Sequence, residues 1–316
     1  MLKETTSPAQ DTALRSITGE TQDGQPLSVN RAPAEDLKPW VARVYATNVQ
    51  VDADYTVSCG LISDTPVLRM LFEGDWTATN DLGTKRYRHQ ALFFGPHSRR
   101  MPVTVSGNFS TLSVQLNPGA TSAFGRFPIE PTVDRIIPYQ FFGFDETKLY
   151  DRFADSNDPE QWLLTVEEIM REYIAHKGAV EPDKLSRAFE IAAFEDPNMK
   201  VSDFADEHGV SPKKVERVVK RDFGLSPKKV LRRARALDMA AALRGVGDEL
   251  EAEEMALRFF DQSHLNREFM DFFGISPVQF VKTPQPLLTL ALEVRQARRL
   301  ELLGRIEEGE KRPWMG

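Results

Sequence analysis

Apolar and polar positions alternate in short runs over residues 38–145, then take up a helical rhythm that lasts almost to the end of the chain. Residues 67–72, 91–94, 102–105 and 109–116 read as strands bounded by turn-forming residues. Pro102 cannot donate to a ladder, so it belongs at a strand start or on a sheet edge. Gly107-Asn108, between two of these runs, reads as a hairpin turn because both residues tolerate positive φ. Several short strands separated by turns predict a β-sandwich or barrel. Residues 1–37 are rich in Ser, Thr, Pro, Gln and Asp without a sustained apolar period, and are expected to form a mostly disordered tail.

The helical part opens at Asp158-Pro159, an N-cap followed by proline in the first turn. Leu163, Val166, Ile169, Met170 and Tyr173 then share one face. A second helix is predicted over 183–194, and Asp196-Pro197-Asn198 breaks the chain and sets a domain boundary. A last helix is predicted over 287–303, ended by Gly304, with Leu288, Leu292 and Leu303 on one side and Arg295, Arg298 and Arg299 on another. That helix suits either contact with a partner or packing on its own protein. The expected fold class is α+β and multidomain: tail 1–37, β-rich sandwich- or barrel-like domain 38–145, helical connector 146–197, all-α domain 198–283, and C-terminal helix and tail 284–316.

Charge changes the picture locally. The 316 residues carry 40 Lys and Arg against 47 Asp and Glu, a net charge of −7, which argues against indiscriminate coating of nucleic acid. Residues 212–235 nevertheless hold 10 basic residues against only Glu216 and Asp222, a local anion-binding face. The single cysteine, Cys59, supports neither an intramolecular disulfide nor a cysteine-based zinc site and reads as a small buried residue. The polar start and the lack of a long apolar run give the expectation of a cytoplasmic protein without membrane contact.

Within the basic stretch, Val201, Phe204 and Ala205 fit one face of a short helix, Gly209 supplies a tight turn, and Ser211-Pro212 starts a new helix. Helix, glycine turn and capped helix is the helix-turn-helix signature. At about 100° per residue, Val215, Val218 and Val219 fall within an arc of roughly 100°, while Lys213, Lys214, Arg217, Lys220 and Arg221 fall opposite within roughly 120°. One packed face and one basic face suit the major groove, where leading residues touch base edges and the others hold phosphates. After a helix from Ser226-Pro227 to about 243 comes a second unit over 251–280. Here Leu265, Phe269, Phe272 and Phe273 share a face, and Ser263, His264 and Arg267 lie on the other. Phe223-Gly224-Leu225-Ser226-Pro227 recurs as Phe273-Gly274-Ile275-Ser276-Pro277, 50 residues on, a sign of internal duplication.

These residues, with Asp261-Gln262-Ser263-His264-Leu265-Asn266-Arg267-Glu268-Phe269 in the second unit, resemble the AraC/XylS family of transcription regulators over about 80 residues. Phe93-Phe94-Gly95-Pro96-His97, Val114-Gln115-Leu116-Asn117-Pro118-Gly119-Ala120 and Ile136-Ile137-Pro138 more loosely resemble the β-rich sensor domain of one branch of that family. The resemblance implies double-stranded DNA as partner, with two recognition helices in successive major grooves. It also implies a homodimer, a small-molecule effector, contact with RNA polymerase, and no cofactor. By position the base readers are Lys213, Glu216 and Arg217, then Gln262, Ser263, His264, Asn266 and Arg267. Arginine pairs bidentately with guanine, Gln or Asn with adenine, and Glu accepts from cytosine.

The chain departs from the family in its second turn, at 256–261, which is about two residues short and lacks its glycine. The run 248–254 before it is strongly acidic and repels phosphate. The first unit is therefore expected to supply most of the affinity. A metal-dependent β-barrel enzyme is the alternative reading, but only His89 and His97 of the five histidines fall in the β region, where they read as surface or hydrogen-bonded loop residues. No phosphate-cradling glycine loop, Gly-x-Ser-x-Gly or Cys–His arrangement is present. A helical protein-interaction module is the third reading. An effector pocket in the β domain would be lined by Phe72, Trp76, Phe93 and Phe94.

Overall fold

The computed structural model describes residues 7–52, 54–125, 128–139, 145–247 and 263–315. Nine described strands form one antiparallel sheet: β1 (Leu14–Ser16), β2 (Val29–Arg31), β3 (Val41–Val51), β4 (Thr56–Leu61), β5 (Val67–Asn80), β6 (Gly83–Tyr87), β7 (Ala91–Phe94), β8 (Met101–Leu116) and β9 (Ile136–Pro138). The order is β1-β3-β8-β5-β7-β9, with β2 on β3, β4 on β8 and β6 on β5. The described strands of the β-rich domain are continuous in one hydrogen-bonded sheet that is buried on both faces.

Two expectations are corrected here. Gly107-Asn108 does not turn a hairpin. Gly107 has φ +78°, but β8 runs straight through it, with Thr56 opposite Ser106 on one side and Val49 opposite Phe109 on the other. Partners on both flanks hold the strand extended where a lone sequence signal suggests reversal. Residues 7–37 are also not a tail. β1 and β2 pair with β3, and Leu27 is 1% exposed. Their apolar residues are too few and too scattered to carry a period, and they gain burial only by completing a sheet built elsewhere.

Side-chain alternation decides what each face meets. Val103, Val105 and Phe109 of β8 pack in one core with Trp76, while Leu112, Val114 and Leu116 enter the other. The second core is closed by α1 (Ala120–Ala123), α2 (Glu146–Asp151) and α3 (Pro159–Lys177), whose Leu163, Val166, Ile169 and Met170 are buried as their spacing predicts, with Tyr173 partly buried and Trp162 joining them. Asp158 caps α3 by accepting from the Glu160 N–H at 3.1 Å.

The helical part comprises α4 (Lys184–Glu195), α5 (Val201–Glu207), α6 (Pro212–Phe223), α7 (Pro227–Leu243), α8 (Ser263–Phe273), α9 (Pro277–Lys282) and α10 (Pro286–Leu302). α4 ends before the boundary read at 196–198, but a core spans it: Leu185, Phe189 and Ala193 pack with Phe204, Val215, Val218, Val219 and Phe223. α10 packs on its own protein and is buried along nearly its whole length against the sheet and α7. Its charges meet polar positions on the sheet and on α4. Asn30 donates to Glu293 at 2.6 Å, Arg43 pairs with Glu301 at 2.5 Å, and Arg298 pairs with Glu190 at 2.7 Å. Among the described residues, no helix is long and apolar enough to cross a membrane.

Candidate nucleic-acid interface

The first helix-turn-helix unit follows from its punctuation. α5 ends at His208, Gly209 turns at φ +60°, and the Ser211 hydroxyl accepts from the Lys214 N–H at 3.2 Å to cap α6. Gly224 stops α6 at φ +71°, where a side chain would be strained. Val215, Val218 and Val219 are at most 2% exposed and seat α6 on α5 and α4. That seating leaves Lys213, Lys214, Glu216, Arg217, Lys220 and Arg221 in solvent.

These six are not equivalent. Among the described residues, no carboxylate pairs with Lys213, Lys214 or Arg217. Lys220 reaches Glu130 only at 3.8 Å. Arg221 is committed inward: it pairs with Asp222 at 2.6 Å and Asp183 at 3.2 Å, and the Asp222 hydrogen bond pushes its guanidinium above the usual arginine range. Asp222 is 1% exposed and also accepts from Ser186 of α4, so Arg221 serves the fold more than the outer face.

The described part of the second unit repeats the end of the first on a different foundation. Gly274 stops α8 at φ +70°, and Ser276 and Gln279 form a reciprocal capping box at the start of α9. Phe269, Phe272, Phe273 and Phe280 are at most 3% exposed and enter the core that also holds one face of the β-sheet. Arg267 is exposed and Asn266 is half-buried, with its Oδ1 buried and unpartnered. Gln262 lies outside the described residues, as do the side chains of Ser263 and His264, the short turn at 256–261 and the acidic run at 248–254. α7 and α8 are joined by ions: Arg235 pairs with Glu268 at 2.9 Å and Arg232 with Asp271 at 2.8 Å.

Both candidate recognition helices touch the β-rich domain at their C-terminal ends. At α6, a Cβ on Gly224 would come within 2.6 Å of Val133. At α8, the Arg100 N–H donates to the Phe272 carbonyl at 2.7 Å and its Nε to the Phe273 carbonyl at 2.9 Å. Sequence reasoning missed Arg100 and Val133, since nothing in a local pattern signals a contact more than 90 residues away.

The four aromatic residues considered for an effector pocket are not brought together. Phe72 and Phe93 belong to the core under α3, whereas Trp76 and Phe94 belong to the core on the opposite face. Phe72 stacks on Trp162, with ring centroids 4.4 Å apart, and Trp76 meets Phe109 edge-on at 5.3 Å. Alternation along a strand sends neighbouring aromatics to opposite faces, so proximity in sequence does not make a pocket. His97 is fully buried, its Nδ1 accepting from the Ser63 N–H at 3.0 Å. Cys59 is buried and its thiol raised by burial. Among the described residues, no group of three or more His, Cys, Asp or Glu is placed to hold a metal.

Residues 204–283 match the family described as a helix-turn-helix domain, and residues 30–138 match a domain of unknown function, DUF6597. No curated protein matches the chain. Among solved structures, ToxT from Vibrio cholerae is similar at 10% identity, covering 75% of this chain and 96% of that one, with a TM-score of 0.44. Unsaturated fatty acid bound ToxT from Vibrio cholerae strain SCE256 is similar at 7% identity, covering 81% and 96%, with a TM-score of 0.42. The AraC-like transcriptional activator CuxR is similar at 10% identity, covering 67% and 86%, with a TM-score of 0.26. Residues 204–283 therefore carry the helix-turn-helix domain that this family describes.

Proposed function

We propose that the protein binds specific DNA sequences through α6 and α8 in successive major grooves, with α6 supplying most of the affinity. The observation that carries this reading is the face of Lys213, Lys214 and Arg217, exposed and without carboxylate partners among the described residues, directly opposite a buried valine seam. A charged face built only to be solvated gains from interspersed acids, and here Glu216 is the one acid on the outer surface of α6. Arg217 and Arg267 read guanine and Asn266 reads adenine, with Gln262, Ser263 and His264 as further readers. Lys213, Lys214 and Lys220 hold phosphates. The asymmetry is supported by Asp271, which places an acid on α8 at the position that Arg221 holds on α6 in the 50-residue repeat.

Control is proposed to enter through the β-rich domain, by homodimerisation or by a small-molecule effector. The hydrogen bonds from Arg100 to the last turn of α8 support a mechanical link in that direction. The direct test is fluorescence anisotropy on bulk duplex DNA across a salt series. Binding is expected to weaken steeply as salt rises, because each neutralised phosphate releases counterions. Absence of binding at low salt refutes the reading.

A further inference from the structure

Arg233 on α7 is 1% exposed, yet no carboxylate lies within 4 Å of its guanidinium among the described residues. Its Nη1 donates to the His97 carbonyl and its Nη2 to the Asp64 carbonyl, each at 2.7 Å, and its Nε has no partner. Arg295 on α10, 4% exposed, gives Nε to Asp64 at 2.9 Å and Nη1 to Asp238 at 2.5 Å, and its Nη2 has no partner. Both arginines line the same cavity of about 20 Å³, where α4, α7 and α10 meet the segment leading into β5. The carboxylates on that wall are already used: Asp64 holds Arg295, and Glu190 holds Arg298 and Arg187. The other lining residues include Ala193, Phe194, Phe223, Val230 and Ala234, which offer little polar compensation.

Arg233 has no carboxylate in direct contact among the described residues and feels Asp64 and Asp134 only at longer range, so negative charge delivered to its free N–H lowers the cost of burying it. A cavity of this size admits one atom-sized guest. Water satisfies donors but brings no charge. A monoatomic anion does both. We propose that this cavity is a binding site for a halide-sized monovalent anion, chloride in solution, with Arg233 and Arg295 as its donors. Burial pulls the Arg233 guanidinium down to about 10, and a bound anion opposes that shift. The site lies where α7, the helix joining the two helix-turn-helix units, meets the sheet and α10, so the ion fastens the DNA-reading half to the β-rich half. This inference goes beyond DNA binding and does not depend on it.

The test uses the full chain without DNA, so its failure leaves the DNA-binding reading untouched. Crystals soaked in sodium bromide are expected to show an anomalous peak within hydrogen-bond reach of both Arg233 and Arg295. In solution, replacing gluconate by chloride at constant ionic strength is expected to raise Tm by about 2–4 °C in the native chain, and to leave Arg233→Met unchanged. An ordered water in place of the bromide peak, or equal Tm values in the two salts, overturns the proposal. The crystal readout needs no variant, so it stands even if Arg233→Met does not fold.

Discussion

The Arg100 guanidinium, at the entry to β8, donates to the carbonyl of Phe273, at the end of α8, across 2.9 Å. A cation from the β-rich domain thereby sits where the dipole of the second recognition helix is most negative and its carbonyls lack partners. The same residue's backbone N–H takes the neighbouring Phe272 carbonyl. Arg100→Ala is expected to cost about 1–2 kcal/mol, the worth of a charged hydrogen bond at a helix end. Thermal or urea unfolding of the full chain measures it, and an unchanged midpoint contradicts the capping role.

Gly224 and Gly274 occupy equivalent positions in the duplicated unit but differ in surroundings. Both have φ near +70°, yet a Cβ on Gly224 meets Val133 at 2.6 Å, whereas nothing lies within 4 Å of one on Gly274. Gly274→Ala is expected to cost about 1 kcal/mol from backbone strain alone. Gly224→Ala adds a clash and is expected to cost clearly more. Paired urea denaturation of the two variants checks the order.

Asp222 is buried and accepts from Ser186 and Arg221, joining α6 to α4. Asp222→Ala removes these bonds and frees Arg221 toward solvent. The variant is expected to lose about 1–3 kcal/mol of stability. DNA affinity per folded molecule is expected to hold or rise at low salt, because one cation is released to the outer face.

Burial depresses His97 to about 4, below the usual histidine value of 6.5. The folded state holds the imidazole neutral, so its contribution is complete above pH 6.5 and is lost as pH falls from 6.5 toward 4. Unfolding free energies followed over that window are expected to fall in the native chain and to change less in His97→Gln. Parallel profiles exclude His97 as the source.

The first helix-turn-helix unit was legible in the sequence because its signals are local: Gly209, the Ser211 cap and the valine seam lie within a few residues of one another. What escaped is non-local. Arg295 and Arg298 read only as the basic side of a helix that suits either a partner or its own protein, because their partners Asp64, Asp238 and Glu190 lie 57 to 231 residues away. β1 and β2 were missed for the same reason, since three-residue strands are specified by the edge they join. Phe72 and Phe93 paired with Trp76 and Phe94 in the reading only because strand parity across a bulge at Gly74 (φ +101°) is not visible in composition.

The central claim is a two-unit DNA reader dominated by α6. Its most direct test is selection on random duplexes of about 25 base pairs, with the native chain and with Arg217→Ala and Arg267→Ala, at two salt concentrations. The expected result is a motif with two contacted segments about one helical turn apart, lost in Arg217→Ala and only weakened in Arg267→Ala. Equal losses in the two variants contradict the asymmetry, and no selected sequence from the native chain contradicts the claim itself.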